Sequence, residues 1–379
     1  MSNPFLEPGI LIKRLSHRPR HLLNCMIRID KPKPQGPPLA FRVSSIGTLD
    51  CFPLEIISII LGALDIQSIA RFACVSFQGS LLVLSQHQYR DLLKFAPEAL
   101  LALGRTGLAH WYPVERLHST LRSQQCTACT AYGAYLFLPT CKRCCWQCLS
   151  EHPWFQMLWP DDAELCGGLP ARLLRDPRLI PPFHVMPDNY RKADEHEPDE
   201  IATAGTGPYT LFSASRVGSL AFAVNGRSRE RFWAAIREKC NSGTRLFDKA
   251  IYLFWTKGVF PRVNDDLLFR PLFFRSTNPE DDFFGLASIP FPSLSSSGKL
   301  EHGLWCQGCE ITLRHYRMEL LSEHALESLW PRCWGGQERV VAGLERRAYS
   351  EAGFLNHITQ CYGARQLVPD LGSGKSKVG

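Results

Sequence analysis

The chain has 379 residues, 45% hydrophobic and 21% charged, which excludes a disordered polymer and leaves room for two or three globular domains. Its net charge is +7, but residues 1–44 carry eight Lys and Arg against Glu7 and Asp30, a net of +6, so the body is nearly neutral and a large nucleic-acid footprint is not expected. No apolar run reaches the roughly 18–20 residues of a membrane span; the longest, around Ile56 to Leu64, is bounded by Glu55 and Asp65.

Residues 1–44 read as a flexible basic tail. Pro4, Pro8 and Pro19 interrupt any long amphipathic helix, and Lys31 to Pro38 has polyproline character. No apolar signal-peptide core opens the sequence, so a cytoplasmic or nuclear location is expected.

Residues 45–92 form a helical module. Pro53 sits where a helix begins, and Leu54, Ile57, Ile60 and Leu61 make an apolar stripe. Leu64 ends that helix and Asp65 is placed to cap a second. In the second, Ile66, Ile69, Phe72 and Ala73 share one face. Two short helices with so much apolar surface cannot bury it against each other, and the surplus points to a partner. Beyond Val75 the helical pattern continues from Ser80 to Leu93. Pro97 to Leu103, closed by Gly104, and residues 112–122 give further short helices.

The sequence Pro53-Leu54-Glu55-Ile56, the Leu64-Asp65-x3-Ile69-x-Arg71-Phe72 helix and Val75-Ser76 resemble the F-box. Two positions depart from the family pattern. Its usual Leu-Pro is Phe52-Pro53, and the Trp common after Val-Ser is absent, with Phe77 and Gly79 nearby. The resemblance spans about forty residues of the 379. It implies docking on the Skp adaptor, and through it on a cullin, by Phe52, Pro53, Leu54, Ile57, Ile60, Leu61, Leu64, Ile69, Phe72 and Val75. The rest of the chain would then hold a protein substrate for ubiquitin-dependent degradation.

Fifteen cysteines without a secretory signal, several in Cys-x2-Cys pairs, point to metal ligands rather than disulfides. The segment 93–165 carries Cys126, Cys129, Cys141, Cys144, Cys145 and Cys148. Tyr132 to Pro139 between them has the pattern of a hairpin strand. Two pairs make a tetrahedral zinc site. Cys126/Cys129 can complete it with Cys141/Cys144 or with Cys145/Cys148, so four of the six suffice. The spacing fits neither a RING, since no His lies between Cys126 and Cys148, nor the fungal binuclear cluster, which needs a Cys where Leu136 stands.

Residues 166–207 read as a linker. Within them Asp194 to Glu200 is an acidic run with the character of a solvated loop. Residues 208–365 form a C-terminal domain of less regular pattern. It has a strand near Tyr209 to Phe212, a helix from Ser228 to Cys240 and a β-type run from Ala250 to Trp255. Cys306-x2-Cys309 followed far downstream by His357-x3-Cys361 suggests a second zinc site of three cysteines and one histidine, with His324 and Cys333 as rival ligands. The two Cys-rich parts resemble those of a group of filamentous-fungal F-box proteins. Residues 366–379 read as a tail. Its Gly372-Ser373-Gly374-Lys375-Ser376 lacks the first glycine of a phosphate loop, because Pro369 stands there.

The expected fold is mainly α with small β parts, an α+β chain held by structural zinc. No nucleophile elbow, His-Glu-x2-His pair or paired-carboxylate pattern is present, so no enzyme is expected. The function expected is that of a receptor in a Skp–cullin–F-box ubiquitin ligase. The alternative is a zinc-stabilised regulatory or nucleic-acid-binding protein whose helical block is only core.

Overall fold

The computed structural model describes residues 7–24, 44–152, 155–184 without 159, 210–224, 287–322 and 337–368, with a few isolated positions besides. The Lys31 to Pro38 segment, the acidic run, the Ala250 to Trp255 run, most of the Ser228 to Cys240 helix, and the rival ligands His324 and Cys333 lie outside the described residues.

The described chain is mainly α-helical with small antiparallel sheets. It opens with α1 (Pro8–Leu15), β1 (Ser16–His17) and α2 (Arg20–Asn24). A run of helices follows: α3 (Leu54–Ala63), α4 (Ile66–Val75), α5 (Phe77–Ser85), α6 (His87–Phe95), α7 (Pro97–Arg105) and α8 (Val114–Arg122). The Cys-rich segment supplies β2 (Tyr135–Phe137), β3 (Lys142–Cys144) and α9 (Trp146–Glu151). Next come β4 (Met157–Leu158), α10 (Pro160–Gly167), α11 (Ala171–Leu174), β5 (Phe183–His184), β6 (Thr210–Ser213) and α12 (Ala214–Val224). The last part holds β7 (Ser288–Pro290), β8 (Ser293–Leu294), β9 (Leu300–Glu301), β10 (Trp305–Cys306), α13 (Gln307–Arg317), α14 (Gln337–Glu345), α15 (Glu351–Gln360) and α16 (Tyr362–Leu367).

Local chemistry sets the boundaries in the helical module. The Asp65 carboxylate accepts from the Ser68 amide at 2.8 Å and from its hydroxyl at 2.6 Å, which starts α4. Ser76 then ends α4 and caps α5, its hydroxyl accepting from the Gly79 amide at 3.0 Å. A Cβ on Gly79 would stand 2.8 Å from the Phe72 carbonyl, so glycine is what lets α5 lie against α4. The break at Gln86 divides the single helical stretch expected from Ser80 to Leu93 into α5 and α6.

Three expectations are corrected. The described part of the N-terminal tail is packed: Leu11, Leu15, Leu22, Met26 and Ile27 are buried, and β1 pairs with β10 through Ser16 with Cys306 and His17 with Trp305. The early part of the linker contributes core, with Leu169, Leu174, Ile180 and Phe183 buried and β5 paired to β6. The C-terminal region is not irregular where it is described, since α13 to α16 fill it. The proline and charge pattern of these stretches hides short elements whose burial comes from distant partners.

Arg143 locks the centre. It is fully buried, opposite Leu136 in the β2–β3 register. Its guanidinium donates to the carbonyls of Thr120 at 3.2 and 3.1 Å, Gly133 at 2.5 Å, Phe291 at 3.0 Å and Pro292. It also lies 4.8 Å from the Phe291 ring centre. One side chain thus ties α8, the Cys-rich hairpin and the β7–β8 connection together. Arg143→Met should lower the unfolding midpoint markedly, because four carbonyls lose a donor at a cost of about 1 kcal/mol or more each. A thermal scan showing no loss would contradict this.

Candidate metal centres and docking surface

The first centre grows from the ends of the β2–β3 hairpin. Before it, the chain turns tightly: the Cys126 amide donates to the Ala131 carbonyl at 2.6 Å, and Thr130 takes a positive φ of 63°. The turn lets the Ala128 amide donate to the Cys126 sulfur at 3.4 Å. After the hairpin, Cys145 caps α9 and its sulfur accepts from the Cys148 amide at 3.4 Å. The ligand atoms of Cys126, Cys129, Cys145 and Cys148 all lie within 4.8 Å of one another, with Cys129 and Cys145 sulfurs 3.5 Å apart. Tetrahedral coordination with metal–sulfur bonds of about 2.3 Å requires sulfurs about 3.8 Å apart, so the four cysteines fit one ion.

The choice that spacing leaves open is therefore made for Cys145/Cys148. Cys141 and Cys144 are fully buried and belong to the core instead. Cys141 occupies the left-handed corner before β3 at φ 51°, and burial pushes its thiol up to about 12. The Cys144 thiol points to the Tyr135 carbonyl at 3.6 Å, and burial raises its pKa too. One signal in the sequence could have separated the pairs. Successive residues of a strand face opposite sides, so Cys144 and Cys145 diverge. Cys126/Cys129 precede the hairpin and Cys145/Cys148 follow it, so both pairs sit at its open end.

The second centre joins Cys306 and Cys309, around the start of α13, with His357 and Cys361 at the end of α15. Their ligand atoms also lie within 4.8 Å of one another. The Cys309 sulfur is 3.1 Å from His357 Nε2 and 3.9 Å from the Cys361 sulfur, and Cys306 is 3.9 Å from Cys361. His357 is held by stacking on Tyr349, ring centres 4.4 Å apart, and Tyr349 pairs with Leu304 through two 2.9 Å backbone bonds. Convergence depends on two glycines. A Cβ on Gly308 would meet the Ala364 amide nitrogen at 2.2 Å, and one on Gly363 would meet the Gly308 carbonyl at 1.9 Å. The spacing predicts these ligands but not their cover. Leu11 and Leu15 of α1 pack in the same buried cluster as Cys306, Cys309 and Cys361.

In both centres the thiols act on one another. Hydrogen bonds from neighbouring thiols, Cys129 first, hold Cys126 far below the ordinary thiol range. Cys361 is lowered in the same way, by Cys306 first. Cys148 is pushed up, first by its hydrogen bond with Cys126, and Cys309 is pushed up, first by its hydrogen bond with Cys306. A divalent cation removes this conflict, because each sulfur can then bind as thiolate.

The helices α3 and α4 have an inner and an outer face. Of the expected docking residues, Ile57, Leu61 and Ile69 are buried in the chain's own core and Leu64 and Phe72 are partly covered by it. In this arrangement the first three have no apolar surface left for a partner, which corrects their assignment. Phe52, Pro53, Leu54, Ile60 and Val75 are exposed. Ile56 and Ile59, which helical periodicity from Leu54 passes over, are exposed as well. Leu54 is 61% exposed, Ile59 68% and Val75 73%, so the outer face of α3 and the end of α4 are open. No helix among the described residues is long and apolar enough to cross a membrane.

Metal analysis should find two ions per chain. Cys126→Ser or Cys148→Ser should remove one, Cys361→Ser the other, and Cys141→Ala or Cys144→Ala neither; loss of an ion from a Cys144→Ala protein that remains folded would contradict the assignment. No family model, curated protein or solved structure matches the chain.

Proposed function

We propose that the chain is a zinc-stabilised substrate receptor of a Skp–cullin–F-box ubiquitin ligase. The observation that carries this reading is the division of the helical module. Its inner residues are fixed to the protein's core, while Phe52, Leu54, Ile56, Ile59, Ile60 and Val75 stay in water. The inner anchoring is specific: the Ile66 amide donates to the Tyr112 carbonyl at 3.0 Å, and Asp65 bridges to Pro113. A helix pair that served only as core would not keep this many large aliphatics outside.

Burying each such side chain is worth about 1.5–3 kcal/mol, enough to support a stable complex after the cost of association. The receptor would carry out no bond chemistry. It would raise the local concentration of a bound protein beside a charged ubiquitin carrier. Zinc is the fitting ion. Sets of four cysteines, or of three cysteines and a histidine, with every position filled by protein are those of structural zinc. Binding such ions is coupled to folding, so the substrate-facing part would depend on them.

Leu54→Asp with Ile59→Asp should abolish co-purification with the Skp adaptor while leaving metal content and unfolding midpoint unchanged, because both side chains are exposed. Undiminished co-purification of this variant would rule out docking through α3. Ile57→Asp should instead destabilise the protein, as its side chain is buried in the core.

A further inference from the structure

The two centres differ in how far an outside reagent can reach them. In the second, Cys306, Cys309 and Cys361 are all buried, and Leu11 and Leu15 pack in the same buried cluster. In the first, Cys126, Cys145 and Cys148 are buried but Cys129 is exposed. Cys129 sits at the end of a turn over residues 127–129, outside any helix or strand. The start of that turn is tied to β3, the Thr127 amide donating to the Arg143 carbonyl at 3.0 Å, so the Cys129 end is the one free to shift. Cys145 is held more firmly, as the N-cap of α9 with its sulfur accepting from the Cys148 amide. The Cys129 and Cys145 sulfurs stand 3.5 Å apart. A disulfide needs about 2.05 Å, so an approach of about 1.5 Å closes the gap.

Cysteines ligate metal as thiolates, and the thiolate is the form that a peroxide oxidises. The exposed Cys129 sulfur attacks one oxygen of hydrogen peroxide. The O–O bond breaks, a sulfenic acid forms and hydroxide leaves. The Cys145 thiolate then attacks the sulfenic sulfur, the S–S bond forms and a second hydroxide leaves. Two protons from solvent turn both hydroxides into water. The two sulfurs give up two electrons and the peroxide accepts them. The new bond removes two of the four thiolate donors. Cys126 and Cys148 remain, half of the closed set that a structural zinc site uses.

We propose that Cys129 and Cys145 form a peroxide-sensitive pair: Cys129 is oxidised first, Cys145 resolves it to a disulfide, and the first centre gives up its ion while the second keeps its own. The proposal rests on zinc in both centres and not on the adaptor reading.

The test treats the full, zinc-loaded chain with a small molar excess of hydrogen peroxide and follows zinc release with a colorimetric indicator. The protein should start with two ions and release one. Mass mapping of the alkylated peptides should then find a Cys129–Cys145 disulfide. Cys129→His keeps a four-ligand set but cannot form that bond, so its release should be slower by about tenfold or more. Should this variant start with a single ion, the peptide map of the unsubstituted protein decides. Release of both ions at equal rates, retention of both, unchanged release from a fully loaded Cys129→His protein, or a disulfide that leaves out Cys129 or Cys145 would overturn the proposal. A starting count that lacks the first ion is a different failure: it defeats the zinc assignment, and the proposal falls with that premise.

Discussion

Crowding of sulfur governs this fold. Each centre brings four ligand atoms within 4.8 Å, a density that thiolates cannot adopt against one another without a cation. The backbone is built to produce that density. Amides of Ala128 and Cys148 point at sulfur in the first centre, and the bare glycines Gly308 and Gly363 let two helices touch in the second. The regular elements around the centres are short, with strands of two to four residues, so they offer little cooperative strength of their own. Metal coordination would give such pieces a fixed geometry at small cost in chain length.

The two centres are joined by packing rather than by sequence proximity. The N-terminal segment places Leu11 and Leu15 in the second centre's buried cluster, pairs β1 with β10, and then sends Leu22, Met26 and Ile27 into the main core. The Ile27 amide closes onto the Ser288 carbonyl at 3.0 Å. Arg143 performs the corresponding task inside the main core. A residue from the first half of the chain thereby holds carbonyls contributed from beyond position 290. The inner face of the helical module packs into the same core. If the outward residues dock a partner as proposed, they do so from helices already packed on that core, which would limit the entropy lost.

Much of this is legible in the residues. Asp65 and Ser76 act as caps, Pro97 starts α7, and the Tyr132 to Pro139 stretch forms a hairpin strand, because each depends on local chemistry. The spacing of Cys306, Cys309, His357 and Cys361 is enough to foresee their convergence. What stays hidden is set by distant partners. The packing of Leu11, Leu15 and β1 depends on β10 and on the second centre, neither of which leaves a mark on the proline-broken N-terminal pattern. Which stripe of α3 faces water depends on where α8 lies, so periodicity alone points to Ile57 and Leu61 for docking and passes over Ile56 and Ile59. The partners of Cys126 and Cys129 need the hairpin register before Cys144 and Cys145 can be told apart.

The central claim is that two sulfur-bound ions organise the protein, and X-ray absorption at the zinc edge of purified, reduced protein tests it most directly. The account predicts two zinc ions per chain whose combined shells hold seven sulfurs and one imidazole nitrogen, the donors of the two clusters, with zinc–sulfur distances of about 2.3 Å. A shell dominated by oxygen or nitrogen near about 2.0 Å, or folded protein without bound metal, would contradict it.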